Sequence, residues 1–299
     1  MLVLLIATVA GGQVPNSAQG YLERAATNFK LGKLDAVITD CSKAIQLDPK
    51  LVLAYYLRGN ALVLQRRLDD ALPDYDKVIE LAPNAPGVEQ VYGNRGAIRE
   101  SKGDAKGALA DVNKAIALNP DYGDPYTTRG NIRSEQGDIK GALADYDKAI
   151  LINPNDTPAY VGRGMIRYQQ DDLDLALKDY DNVIRLEPRH PQAHIDRGVI
   201  KGLKGQIDAA IVDIRAGAAI DAAAIAENQP STFSTPFSTL GQYISAHPTK
   251  ARAIEMRGLI RLMNGNVSGA DQDLRECVKL APELQTEIDR VRPLMRSSQ

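Results

Sequence analysis

Seven arginines and seven aspartates recur in this chain at one fixed separation. Arg24, Arg58, Arg95, Arg129, Arg163, Arg197 and Arg257 are each followed, sixteen residues later, by Asp40, Asp74, Asp111, Asp145, Asp179, Asp213 and Asp273. Two chemistries suit such a pattern. Unpaired, the guanidiniums would make an arginine-lined binding face. Paired, they would form a ladder of ion pairs within or between neighbouring hairpins. Free arginines would not need one matching aspartate each, so the ladder is the expectation. Partly buried, such pairs set register more than net stability, because the cost of desolvating two charges offsets much of their attraction.

No other set of residues points to catalysis or to a metal. His190 and His194 are four apart, but Pro191 stands between them and the chain has only three histidines. They are expected to be core or joint residues. Asp171, Asp172 and Asp174 begin a helix, where negative charge suits the dipole, and lack the glycine and spacing of a calcium loop. The glycines accompany no GxxxxGK[ST] run and no strand-linked GxGxxG. Cys41 and Cys277 take inward-facing places at opposite ends of the repeat array, too far apart for a disulfide, and are expected as small buried hydrophobes. Asn155-Asp156-Thr157 and Asn266-Val267-Ser268 match glycosylation sequons, a pattern common by chance. With no convergent nucleophile and base, the expectation is a non-enzyme without cofactor, metal or small-molecule substrate. A net charge of −2 and no basic face argue against nucleic acid.

The elements that carry these residues are helical and repeated. Between Gly123 and Asp156, Tyr126, Arg129, Gly130 and Arg133 recur at helical spacing, and Gln136-Gly137-Asp138 breaks the pattern. Ile139, Ala142, Tyr146, Ala149 and Ile150 form a second stripe of period 3.6, ended by Asn153-Pro154. The short break makes the two helices antiparallel neighbours. One such pair has more apolar face than it can bury alone, so its copies must stack. Gly59, Gly96, Gly130, Gly164, Gly198 and Gly258 hold one mid-helix place in six copies, with Ala25 there in the first. Each costs about 1 kcal/mol against alanine, which implies close helix approach. The prolines Pro49, Pro83, Pro120, Pro154 and Pro188 close copies at spacings of 34, 37, 34 and 34 residues.

That period, with its aromatic, Gly, Ala and Pro signposts, resembles the tetratricopeptide repeat. Many family members carry an aliphatic residue where this chain has its arginines. The resemblance implies an all-α, right-handed superhelical solenoid of stacked antiparallel helix pairs. It also implies a groove, lined by the first helix of each pair, that holds an extended peptide or a partner's helix. Groove positions here are Leu22, Ala26, Phe29 and Lys30, then Tyr56, Asn60, Val63 and Leu64, then Gly93, Ala97 and Glu100. They continue as Thr127, Asn131, Ser134 and Glu135, then Val161, Met165, Tyr168 and Gln169, then Ile195, Val199, Gly202 and Leu203. Such a groove is polar and mildly acidic in its middle and apolar toward both ends. It lacks the lysine of members that clamp a C-terminal carboxylate, since Leu22/Ala26 and Tyr56/Asn60 stand there. The function expected is a non-catalytic scaffold for a protein or peptide. The alternative is a structural or adaptor subunit of an envelope or secretion assembly.

Organisation follows from where the repeat holds and where it fails. Residues 18–222 read as six repeats, 223–250 as an insert made of a helix extension, a Ser/Thr/Pro-containing loop from Asn228 to Pro236 and a short helix over Ser238–His247, 251–284 as a seventh repeat, and 285–299 as a capping helix and tail. Pro293 is expected to end that helix. Phe233, Phe237, Leu240, Tyr243 and Ile244 in the insert need burial, so residues 228–247 are expected to fold back on the sixth and seventh hairpins, covering the end of the groove or acting as its lid; the alternative is a decayed eighth repeat that fills the stack. Residues 1–17 begin with the apolar run Leu2–Ala10, too short to span a membrane. Small residues follow the run, as in a secretory signal, although the basic start of such a signal is missing. Export, or a periplasmic location, is the expectation, with a cytoplasmic location as the alternative; membrane contact would come only through this segment.

Overall fold

The computed structural model describes residues 16–226, 235–247, 249–263 and 266–296. The signal-like run and residues 227–234, with Phe233, lie outside the described residues, as does the side chain of Phe237. The chain separates into two compact units, one ending at Pro154 and one starting at Asn155. The first holds four helix pairs: α1 (Ala18–Lys30) with α2 (Leu34–Leu47), α3 (Val52–Leu64) with α4 (Leu68–Leu81), α5 (Val88–Ser101) with α6 (Ala105–Leu118), and α7 (Asp124–Glu135) with α8 (Ile139–Ile152). The second holds α9 (Thr157–Gln169) with α10 (Leu173–Leu186) and α11 (Pro191–Leu203) with α12 (Ile207–Ala226). Then come α13 (Thr235–Ala246), the pair α14 (Ala251–Met263) and α15 (Val267–Leu280), and α16 (Gln285–Arg296). The protein is the all-α solenoid of stacked helix pairs that the repeat predicts.

Local chemistry sets the ends of these helices. Asp104, Asp138, Asp156 and Asn266 accept from backbone N–H groups in the first turns of α6, α8, α9 and α15, which satisfies donors that no helical carbonyl can reach. The turn inside each of the first six pairs has one residue in the left-handed region. Gly32, Gly103, Gly137 and Gly205 fill it, whereas Arg66 and Asp171 hold it with φ of 61° and 66°.

Six of the pairs close around a mid-helix glycine. A Cβ on Gly130 would lie 2.7 Å from Tyr146 Cε1, and one on Gly198 would lie 2.7 Å from Ile214 Cγ1. In the first pair the facing residue is the small, buried Cys41, and there alanine, Ala25, fits. Both cysteines are free and buried, and burial pushes the Cys41 thiol up to about 12.

α12 runs on to Ala226, as the expected helix extension does. Two boundaries differ from expectation. α16 continues past Pro293, whose exposed place on the helix leaves the freed carbonyl open to water. The main division of the chain falls after the fourth pair and not at the insert. The reason is that α13 packs on α9, α11 and α14. The insert therefore binds the second unit together, and it reaches the fifth pair as well as the sixth and seventh.

Candidate functional site

The charges that recur in the sequence meet in space. From Arg24–Asp40 to Arg257–Asp273, all seven guanidiniums lie 2.5–2.8 Å from their aspartates. Most take both carboxylate oxygens, as Arg129 does with Nε at 2.9 Å and Nη2 at 2.7 Å from Asp145. The aspartates are buried. The remaining guanidinium nitrogen often reaches the second helix of the preceding pair: Arg58 to Ser42, Arg95 to Asp76, Arg129 to Asn113 and Arg197 to Asp181. Each of these arginines thus ties its own pair together and also ties it to the previous one. For Asp213, burial raises the pKa, but hydrogen bonds from Arg197 and Lys201 together outweigh it and hold the carboxyl below its usual value.

Two further partners of the ladder escaped the sequence reasoning. A second cation, four residues after the arginine, reaches the same carboxylate: Arg99, Arg133, Arg167, Lys201 and Arg261 at 2.7–2.8 Å. Asn28 takes that role in the first copy, and the aliphatic Leu62 stands there in the second. Tyrosines three residues before the arginine carry it over their rings at 5.4–5.8 Å, in Tyr21–Arg24, Tyr55–Arg58, Tyr92–Arg95, Tyr126–Arg129 and Tyr160–Arg163. Both signals were present as recurrences three and four residues from most of these arginines.

The histidines serve the joints. His190 Nδ1 accepts from the Ala193 N–H and caps α11. His194 stands where other copies have tyrosine. Its Nε2 donates to the Pro188 carbonyl at 2.9 Å, as the Tyr55 and Tyr126 hydroxyls donate to Pro49 and Pro120. Since a carbonyl only accepts, the proton is on Nε2.

The expected groove residues divide between the units. In the first, Phe29, Asn60, Val63, Leu64, Leu68, Tyr75, Asn94, Ala97, Ile98 and Ser101 line an open pocket of 450 Å³ on the face of α1, α3 and α5. Leu64 is 60% exposed at its edge. Its polar floor is organised: the Tyr75 hydroxyl donates to Asn60 Oδ1 at 2.7 Å, and Asn94 reaches both. Tyr56 donates to Gln90 at 2.9 Å. Farther along, the Tyr146 hydroxyl donates to Asn131, whose amide donates to Glu100 at 3.3 Å. Glu135 is exposed.

In the second unit Val161, Met165 and Leu203 are partly exposed, but Tyr168, Ile195 and Val199 are buried. The expectation that these three line an open groove is corrected. Tyr168 is covered by Tyr243 of α13, stacked on it at 4.7 Å. Ile195 turns into its own pair, where a Cβ on Gly217 of α12 would lie 2.6 Å from its Cγ1. Val199 sits on α11, against which both α13 and α14 pack. On the same helix Asp196 accepts from Gln192 at 2.7 Å. Burial raises its carboxyl to about 7, against hydrogen bonds from Gln192 and Tyr180 that lower it.

Models of the tetratricopeptide repeat match residues 52–85, 89–122, 127–181 and 161–230. The chain belongs to the tetratricopeptide repeat family. Proteins of this family are typically non-catalytic scaffolds for protein or peptide partners. Among solved structures, a tetratricopeptide repeat protein from Parabacteroides merdae is 19% identical, with 94% of this chain and 99% of that one covered at a TM-score of 0.55. A chain of the APC/C hetero-tetramer Cut9–Hcn1 is 17% identical over 68% of this chain and 40% of its own, at a TM-score of 0.60. Pseudomonas aeruginosa pilF is 14% identical over 66% of this chain and 88% of its own, at a TM-score of 0.56. At these identities the likeness is one of fold. No curated protein matches the chain.

Proposed function

We propose that the chain is a non-catalytic scaffold that holds a peptide or a partner's helix on the first-helix face of the unit ending at Pro154. The observation that carries this is the open pocket with apolar walls from Phe29, Val63, Leu64, Leu68 and Ile98 over the Asn60–Tyr75–Asn94 floor. Concave, mostly apolar sites with a few fixed polar groups are where ligands bind. The test is capture of partners from the native host by the full chain and by Leu64→Glu, identified by mass spectrometry. Leu64 is exposed, so the substitution leaves the fold intact, and a partner held in the groove is lost. Partners retained in full would overturn the assignment.

A second use, as a structural or adaptor subunit, is favoured by apolar residues exposed on second helices, Leu47, Leu118, Leu151 and Val212. It predicts copurification in fixed stoichiometry, insensitive to Leu64→Glu. The apolar run Leu2–Ala10 supports export. On that proposal, mature protein from the native host begins near Gly11 or Gln13, and an intact N-terminus on cytosolic protein would refute it.

A further inference from the structure

In the unit that starts at Asn155 the chain supplies its own occupant for the first-helix face. α13 lies on α9, α11 and α14, all first helices. It buries Leu240, Tyr243 and Ile244, spaced i, i+3 and i+4 and therefore on one side of the helix. The Tyr243 ring covers Tyr168, and its hydroxyl donates to Asp171. Lys250, just beyond the helix, pairs with the same carboxylate. What this face accepts is thus an apolar stripe followed by a cation that meets a carboxylate of the host.

The unit ending at Pro154 offers the same two features, and no element among the described residues covers them. Its pocket is apolar and open. Beyond it on the same face, Glu100 is part-buried and held by the Asn131 amide. Burial, and after it the charge of Glu135, push its pKa up. Among the described residues no cation pairs with Glu100 or Glu135, whereas every aspartate of the ladder holds at least one. A carboxylate partly out of water beside a like charge gains from an incoming cation.

We propose that this face takes a helical segment of another protein with apolar residues at i, i+3 and i+4 followed by a lysine or arginine. The apolar side chains enter the pocket edged by Leu64, and the cation lies between Glu100 and Glu135. The proposal rests on the groove function above and names the partner's chemistry. An acidic helix is refused, because it would bring a third negative charge to two uncompensated ones.

The test uses a phage-displayed library of helix-forming peptides panned on the full chain. Selected peptides are then titrated by fluorescence anisotropy onto the wild type, Leu64→Glu and the double variant Glu100→Gln/Glu135→Gln. The expected peptides carry the apolar spacing and a following Lys or Arg. They lose binding to Leu64→Glu and bind the double variant about tenfold more weakly. Added salt weakens their binding to the wild type but little to the double variant. Peptides that need Leu64 yet are acidic, or ignore the loss of both glutamates, overturn the cationic helix and leave the groove function standing. Peptides that bind Leu64→Glu undiminished overturn both, and so does a library that yields no binder.

Discussion

Removing one carboxylate from the ladder tests whether it holds the stack together. Asp145 is 3% exposed and accepts three hydrogen bonds, from Arg129 Nε and Nη2 and from Arg133 Nη1, at 2.9, 2.7 and 2.7 Å. Asp145→Ala leaves Arg129 with no carboxylate and only the Asn113 oxygen, whereas Arg133 keeps Asp138 at 3.7 Å. The Arg129 side chain is only 17% exposed and cannot turn fully into water, whereas Arg133 at 32% partly can. Stranding a buried charge costs about 3–5 kcal/mol, and the partial access of both arginines to solvent puts the expected loss near the lower end, at about 3 kcal/mol. The control is Asp76→Ala. Asp76 is 56% exposed and meets Arg95, which keeps Asp111, so the loss there is about 0–1 kcal/mol. A second variant isolates the cause. Arg129→Leu with Asp145→Leu removes both buried charges and regains most of the loss, because the penalty lies in the uncompensated charge and not in the missing pair. Denaturant unfolding followed by far-UV circular dichroism measures all three, and hydrogen exchange locates the loosening at α7 and α8. An Asp145→Ala loss no larger than that of Asp76→Ala, or a double variant as unstable as the single one, would refute the reasoning.

Three further outcomes are expected. Gly130→Ala destabilises by about 1–3 kcal/mol despite better helix propensity, because the new Cβ meets the buried Tyr146 ring, fixed at its hydroxyl by Asn131; thermal unfolding that shows a gain would contradict the close-approach account. Arg66→Gly stabilises by about 1 kcal/mol by relieving a left-handed non-glycine residue, whereas Asp171→Gly, in the same conformation, loses its contacts to Tyr243 and Lys250 and makes α13 sensitive to protease; equal responses in the two variants would count against the anchoring of α13 by Asp171. Asp196, raised from 3.8 to about 7, binds a proton in the fold that the unfolded chain lacks across that window, so its contribution to stability falls as pH rises from about 4 to 7; Asp196→Asn flattens this dependence and stabilises the protein above pH 7 by about 1–3 kcal/mol, and an unchanged pH profile of unfolding would show that the carboxylate is solvated.

The sequence by itself determined the repeat unit and its internal geometry, because both are local. Thirty-four residues suffice to write a helix, a turn, a second helix and a closing proline. Any feature that recurs from copy to copy, such as the small residue of Gly130 at its close approach or Arg129 with Asp145, shows as a periodic signal. The second cation and the tyrosine stack were written in the same period, at four and three residues from most of the arginines. Asn60, Val63 and Leu64 also followed from repeat position, since an open face needs only the direction of a side chain on its own helix. What only the tertiary structure decided lies beyond the period. Nothing in the spacing of Leu240, Tyr243 and Ile244 says that Tyr243 covers Tyr168, because α13 reaches α9 across three intervening helices and no copy repeats the contact. Tyr168 and Leu64 both occupy groove positions, yet one is buried and the other open. The difference is a single non-repeated helix, whose apolar face found the nearest unpaired surface its chain could reach.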